Sequence, residues 1–400
     1  MQKIFKTAIV GGGAAGLICA IELLDGKKAL SGEDVLILER GDRVGKKLIA
    51  TGNGQGNLSN ENLGEEFYYG DKAFIKSFVS RLNEIDLKDY FYKLGIPLTA
   101  SKDGKLYPLS KQASAVLDVI RAYLEYKKCV TYTGKRVTNI QKTDDGYVIF
   151  VDKEKFFAEN VVVATGGSAG KQFGTDGTSY KLMEAFGHKK TELYPSLVQL
   201  KTETEKIKGL KGLKEVARVT AFVGRKPIKS ATGDVLFTEY GVSGNAIFQI
   251  SACIAGLKDA YLIIEFLPDL TYSETEDVLE QRKAKKFIKD EDLLCGILNK
   301  RVGQAVLKAS KSKEVVDVAY TIKNFKLKVT GSLDFNYAQV TRGGIATDKV
   351  NPNTMESELS SGLYIVGEAL DVDGDCGGYN LTFAFVSGII AARSIKGIYK

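Results

Sequence analysis

Thr7-Ala8-Ile9-Val10-Gly11-Gly12-Gly13-Ala14-Ala15-Gly16-Leu17 is the stretch from which the fold can be read. Thr7–Val10 is a short apolar run that suits a buried parallel strand. Gly11 to Gly16 satisfies G-x-G-x-x-G, and each glycine has its own task. Gly11 permits the tight turn out of the strand. Gly13 lets the backbone come close to a pyrophosphate. Gly16 lets the next helix pack on the sheet. That helix is expected over Leu17–Leu24, with the small Ala14 and Ala15 at its start and its positive dipole end facing the phosphates. A second strand is expected at Asp34–Leu38. It ends in Glu39, 23 residues after Gly16, near the spacing of an acid that binds a ribose 2′-OH. A carboxylate there would repel a 2′-phosphate, so NADP is disfavoured, whereas FAD and NAD both stay open. The plain alternative is a glycine-rich turn with no cofactor.

Three later segments separate FAD from NAD. Arg43–Asn60 is a cationic, Gly/Asn-rich loop directly after the acid, long enough to wrap an extended cofactor. Asn160–Gly167 is an apolar strand that ends in Thr165-Gly166-Gly167, so bare backbone again faces a ligand. Gly362–Glu368 reads as a strand. Ala369–Asn380 is an acidic glycine-rich turn, and an apolar helix follows over Leu381–Ile395. Its N-terminus would favour negative charge at the N1/C2=O edge of a flavin. An NAD dehydrogenase does not normally return at its C-terminus to complete the cofactor site, whereas a flavoprotein of the glutathione-reductase type does.

Composition sets wider bounds. The 400 residues are 44% apolar, with 42 glycines and 6 prolines, which predicts two domains without Pro-rich linkers. Five separated cysteines and no C-x-x-C give neither a disulfide framework nor a zinc knuckle, and no metal is expected. His188 is the single histidine and reads as a helix-end or surface residue. No apolar run reaches the roughly 18–20 residues that cross a bilayer, so no membrane is expected. Lys3 and Lys6 ahead of an apolar run loosely imitate a signal peptide. Three glycines in that run and the lack of an A-x-A site point instead to the cytoplasm. Net charge is +7, and residues 282–328 hold thirteen Lys/Arg against five Asp/Glu. A solvated helix face is the ordinary reading of that segment, and an RNA-docking surface the sharper one.

The chain resembles a bacterial family of FAD-binding flavoproteins that includes aminoacetone oxidase and the BaiN-type reductases. The resemblance runs nearly end to end. It rests on AIVGGGAAGL, GKKLIATGNGQGN, KLYPLSKQASAVLDVI, VVVATGG with GTDGTSYKLMEAFGH, YPSLVQL, LFTEYGVSGNAIFQIS, TRGGIATDKVNPNTMES and LYIVGEALDVDGDCGGYNL. The family loop usually carries Arg-Cys-Asn where this chain has Gln55-Gly56-Asn57, so only Asn57 and Asn60 carry over. The fold implied is α/β: a Rossmann-like FAD-binding domain with an inserted β-barrel-like domain carrying a small helical subdomain. The expected bounds are 1–190 and 335–400 for the FAD domain and 191–334 for the insert. Val219–Val223 and Leu262–Phe266 read as strands, and the helical part falls near 272–310.

The cofactor shell expected from motif and resemblance together is Gly11, Gly13, Ala14, Ala15, Gly16, Glu39, Arg40, Lys47, Gly52, Asn57, Val137, Thr165, Gly166, Gly367, Glu368, Asp371, Gly378, Asn380 and Leu381. Asp373, Tyr379 and Asn380 are the candidate catalytic groups beside the ring. Packing is the plainer role for Tyr379, and turn-capping the plainer role for Asp371 and Asp375. No second G-x-G-x-x-G follows a strand in the middle of the chain, so a nicotinamide would bind only in passing. Substrate is expected to exchange a hydride with flavin N5. Either an oxidase of a small amine or a C=C reductase driven by NADH or NADPH fits, with oligomeric state left open. Reduction of ribosomal RNA uridine to dihydrouridine, and a non-catalytic redox-responsive FAD module, are the alternatives.

Overall fold

The computed structural model describes residues 3–399. They form two compact units. One comprises residues up to Tyr194 together with those from Val340 onward, and the other is Pro195–Gln339.

The first unit is built on a seven-stranded sheet. Val130–Tyr132, Val35–Leu38, Ile4–Val10 and Glu154–Val163 lie side by side and parallel. The ten-residue strand Glu154–Val163 divides its far edge. Its first half pairs antiparallel with Gly146–Val151, which continues to Val137–Thr143. Its last three residues pair parallel with Leu363–Ile365. The C-terminal segment therefore joins the sheet next to the strand that precedes Thr165. Val35–Leu38 and Leu363–Ile365 are buried along their whole length, as a sheet covered on both faces requires.

Helix Ala14–Leu24 begins three residues before the expected Leu17, because the turn itself winds into the first helical turn. The second strand begins at Val35 rather than Asp34, because Gly32–Asp34 close a 3₁₀ turn. The C-terminal helix spans Tyr379–Ile395, starting two residues before Leu381. It packs on Ala14–Leu24 at close range. A Cβ on Gly388 would lie 2.5 Å from the Ala15 carbonyl oxygen, and one on Gly367 2.9 Å from the Ala15 Cβ. Two small antiparallel patches complete the unit. Tyr68–Gly70 pairs with Val372–Gly374, and Lys105–Pro108 pairs with Ser59–Asn60 and Leu98–Ala100.

The second unit holds a closed barrel of six antiparallel strands: Leu200–Thr202, Gly241–Ser243, Lys226–Phe237, Lys214–Val223, Ala260–Glu265 and Phe325–Ser332. Its helices are Asn245–Ile254, Tyr272–Lys283, Lys300–Ala309 and Val315–Lys323. Thr271 and Glu274 form a capping box at the second of these. Part of the basic charge of 282–328 is spent internally. Lys323 Nζ donates to the Glu265 carboxylate (2.6 Å) and to the carbonyls of Leu267 (2.7 Å) and Leu270. Arg282 donates to the carbonyls of Leu293 (2.8 Å) and Cys295 (2.6 Å).

Candidate active site

The glycine turn sits at the carboxyl end of the central strand. Gly11 has φ +112°, and a Cβ there would lie 2.4 Å from the Ala164 carbonyl oxygen. At Gly16 a Cβ would lie 2.1 Å from the Gly11 carbonyl oxygen, so both positions are closed by neighbouring backbone. Gly13 differs. A Cβ there meets no protein atom within 4 Å. The first intrahelical bond runs from Leu17 N–H to Gly13 O (2.9 Å), leaving the N–H groups of Ala14–Gly16 ahead of the ladder. Open space, donors and a positive dipole end meet there, which fits the diphosphate of a dinucleotide. Glu39 braces this turn. Its carboxylate accepts from Gly12 N–H (2.8 Å) and Gly41 N–H (2.6 Å), and each oxygen keeps further acceptor capacity.

Thr165, at the end of the neighbouring strand, has a buried hydroxyl with no partner among the described residues. A buried polar atom of this kind costs free energy unless a ligand or water meets it. Gly166 follows with φ +73°. Lys47 Nζ reaches the Ala169 carbonyl (3.1 Å) and Glu368 Oε2 (2.6 Å). Glu368 Oε1 accepts from Thr341 N–H (3.0 Å), and Thr341 Oγ1 accepts from Ser168 N–H (2.8 Å) and Ala169 N–H (2.9 Å). Arg40 pairs with Asp176 at 2.5 Å, and Arg136 reaches the same carboxylate oxygen at 3.1 Å. Burial by itself would raise the Asp176 carboxyl, but hydrogen bonds from Thr178 and Arg40 hold it below the usual carboxylate range. Val137 is buried at the start of its strand.

The C-terminal turn is held by side chains from the Gly/Asn-rich loop. Gly52 is left-handed (φ +56°) and lies against Asn57. The Asn57 amide spans two segments, its nitrogen 3.0 Å from Ser59 O and its oxygen 3.2 Å from Gly378 N–H. Asn60 Nδ2 donates to Gly377 O (3.0 Å). Asn380 Oδ1 accepts from Gly374 N–H (2.8 Å), and Nδ2 donates to Gly374 O (2.8 Å), so this side chain locks the turn. Gly378 has φ +101° and caps the last helix, whose N–H groups at Tyr379–Leu381 precede its first bond, Thr382 N–H to Gly378 O.

The three candidate catalytic side chains lie close together and are differently engaged. The Tyr379 ring stacks on Phe67 (4.5 Å, 10°) and meets Tyr68 edge-on, and burial pushes its phenol well above the ordinary range. Asp373 is 1% exposed and takes a two-point ion pair from Arg342. Asn380 is the turn lock just described. Asp371, half-buried, has its carboxyl raised by burial, with Thr191 and Arg342 opposing the shift. A cavity of about 740 Å³ opens beside this group, lined in part by Tyr69, Thr191, Arg342, Asp371 and Asp373.

Thr341, Arg342 and Tyr69 carry much of this arrangement, and none has a role in the sequence reading. The only signal for two of them is Thr341-Arg342-Gly343-Gly344 opening a recognised motif. His188 corrects an expectation. It follows the helix Thr178–Glu184, yet it is 3% exposed, with Nε2 2.8 Å from Ser357 Oγ. Among the described residues no disulfide joins the cysteines, no acid/His/Cys cluster could hold a metal, and no helix is long and apolar enough to cross a membrane.

The Rossmann-type sheet with its open glycine turn, together with the family and relatives it matches, makes the chain an FAD-dependent oxidoreductase. It belongs to the HI0933-like family, as the family model for the HI0933-like protein Rossmann domain matches residues 5–394. A 3-dehydro-bile acid delta(4,6)-reductase of Clostridium scindens is 35% identical, over 97% of this chain and 98% of the relative. A ribosomal RNA dihydrouridine synthase of Haemophilus influenzae is 28% identical, over 99% of this chain and 100% of the relative. In fold the chain is similar to a 3-ketosteroid delta1-dehydrogenase from Sterolibacterium denitrificans, with a TM-score of 0.53 and 12% identity over 99% of this chain and 100% of the other.

Proposed function

We propose that this protein reduces a carbon–carbon double bond of a small molecule, using electrons held on FAD and delivered by NADH or NADPH. The observation that carries the reading is the end-to-end similarity, at 35% identity, to a protein named as a delta(4,6)-reductase. Bound FAD supplies the two-electron chemistry, and the protein supplies position and electrostatics.

In this proposal the unit holding the seven-stranded sheet is the FAD domain, and the barrel unit is the insert. Gly11, Gly13, Ala14, Ala15 and Gly16 take the diphosphate, and the spare acceptor capacity of Glu39 takes a ribose hydroxyl. The unpartnered Thr165 hydroxyl supports a cofactor contact at that strand end, beside Gly166. Arg40, Lys47 and Glu368 order the cofactor site through their ion pairs. Gly52 and Asn57 order the loop, and Val137, buried at the start of its strand, is assigned to the same shell. Gly367, Asp371, Gly378, Asn380 and Leu381 frame the ring end, with Asp373 and Tyr379 beside it.

The five widely separated cysteines, with no C-x-x-C among them, support a reducing, cytoplasmic setting. An RNA substrate is the less favoured reading, because the ribosomal RNA dihydrouridine synthase is 28% identical against 35% for the reductase.

The test is anaerobic reduction of the yellow holoprotein by NADH, NADPH and a panel of small amines, followed by a C=C acceptor or O₂. Bleaching by a nicotinamide and faster reoxidation by the C=C compound are expected. Bleaching by an amine with O₂ as the preferred acceptor would make the protein an oxidase instead, and a colourless protein that takes up no FAD would end the cofactor reading.

A further inference from the structure

Arg342 stands at the end of the short strand Val340–Arg342 and lines the 740 Å³ cavity. Three features fix its guanidinium. Nε donates to Asp373 Oδ1 (3.0 Å), Nη2 faces Asp373 Oδ2 (3.3 Å), and the flat face lies 4.1 Å from the Tyr69 ring centroid. Tyr69 is itself anchored, its hydroxyl donating to Asp375 Oδ1 at 2.8 Å. A fork held on one side by a buried carboxylate and on one face by an aromatic ring has little rotamer freedom left. Among the described residues Nη1 has no hydrogen-bond partner. An arginine that served only to neutralise Asp373 would not need to line a cavity with a donor to spare.

Charge selects what that donor receives. Asp373 already balances Arg342, and the remaining charged lining is Glu65, Glu66, Glu192 and Asp371 against Lys72. A carboxylate ligand would meet a surplus of negative charge, whereas a neutral carbonyl oxygen would not.

Resting on the reductase reading above, we propose that Arg342 is a catalytic residue whose Nη1 binds the carbonyl oxygen of a neutral substrate in which the reducible C=C bond is conjugated to that carbonyl. A hydride added at the β carbon brings two electrons from the reduced cofactor. The C=C π pair moves toward oxygen, giving an enolate, and a proton from solvent water at the α carbon completes the saturated carbonyl compound. Negative charge thus develops at the atom that Nη1 contacts. A donor fixed beforehand stabilises that charge without reorganising, and loss of one such donor typically lowers kcat by about 10²–10³. Asp373 and Tyr69 act through Arg342 and are positioning residues.

The experiment uses FAD-loaded wild type, Arg342→Lys, and the double variant Arg342→Gln with Asp373→Asn. Lysine keeps a cation for Asp373 but cannot hold that carboxylate and the cavity at once. The double variant removes both charges, so no unpaired carboxylate is left buried. The first readout is absorbance titration of the oxidised holoprotein with 4-nitrophenol, whose phenolate oxygen imitates the enolate. The second is anaerobic reoxidation of dithionite-reduced holoprotein by cyclohex-2-en-1-one and by a steroid 4-en-3-one.

Wild type should bind the phenolate form, and both variants should bind it at least tenfold more weakly at equal FAD content. Their reoxidation rate at saturating enone should fall about a hundredfold. Phenolate affinity equal to wild type in either variant, or reoxidation at the wild-type rate, overturns the assignment of Arg342 and leaves the reductase reading standing. If no C=C compound reoxidises wild type, the reductase reading fails and this assignment with it.

Discussion

Gly13→Ala separates ligand binding from folding. Gly13 is the N-cap of the first helix, with φ −85° and ψ −171°, an extended conformation that alanine adopts without strain. A Cβ added there meets no protein atom within 4 Å. In the unliganded protein two small effects oppose each other. Alanine reduces unfolded-chain entropy and is a poorer N-cap than glycine, each worth about 0.5–1 kcal/mol. The net change is near zero, so apo Tm should move by no more than about 4 °C.

With FAD present the same methyl group occupies the space where the diphosphate meets the backbone donors. Losing one charge-assisted hydrogen bond costs about 1.5–3 kcal/mol, so Kd should rise about ten- to hundredfold. Gly13→Asp adds a like charge and should abolish binding. The assays are thermal melting of apoprotein and FAD-fluorescence titration, with Gly16→Ala as the contrast. A Cβ at Gly16 would lie 2.1 Å from the Gly11 carbonyl oxygen, so that variant should lose about 1–3 kcal/mol of stability even without FAD. Wild-type FAD affinity in Gly13→Ala, or an apo Tm that collapses with it, would refute the reasoning.

Thr341→Val should cost about 1–3 kcal/mol, because the Ser168 and Ala169 N–H groups lose their acceptor, and Thr341→Ser should restore the wild-type Tm. Lys396→Met should lower Tm by a similar energy, about 1–3 kcal/mol, since the buried ammonium ties the Glu22 (2.5 Å) and Asp25 (2.9 Å) carbonyls at the end of the first helix. Burial lowers the His188 pKa below its ordinary 6.5, with Asp348 opposing. The unfolded chain therefore binds the extra proton first, and stability should fall as pH drops below 6.5. Urea melts at several pH values should show that slope in wild type and a shallower one in His188→Gln.

The strand, the glycine turn, the first helix and the acid at position 39 were legible because their causes are local. An unbroken apolar run, glycines at fixed offsets and the onset of a 3.6 period act within about thirty residues of chain. The barrel strands at Lys214–Val223 and Ala260–Glu265 declared themselves for the same reason, though their ends shifted, since ends depend on neighbours. The first and fourth helices of the insert, Asn245–Ile254 and Val315–Lys323, were not foreseen, nor was the burial of His188.

The residues alone thus reveal the elements around the glycine motifs and the surface offered to a dinucleotide. Tertiary structure alone decided the partners: Lys47 with Glu368, Arg342 with Asp373 and Tyr69, Asn57 with Gly378, Asn60 with Gly377. Several of these pairs lie more than three hundred positions apart. The parallel docking of Leu363–Ile365 on Val161–Val163 and the packing of the last helix on the first bring the C-terminal turn to the first glycine motif. A charge or an amide in a sequence carries no record of which distant group will meet it; that follows from strand order, register and close packing of the two glycine-notched helices.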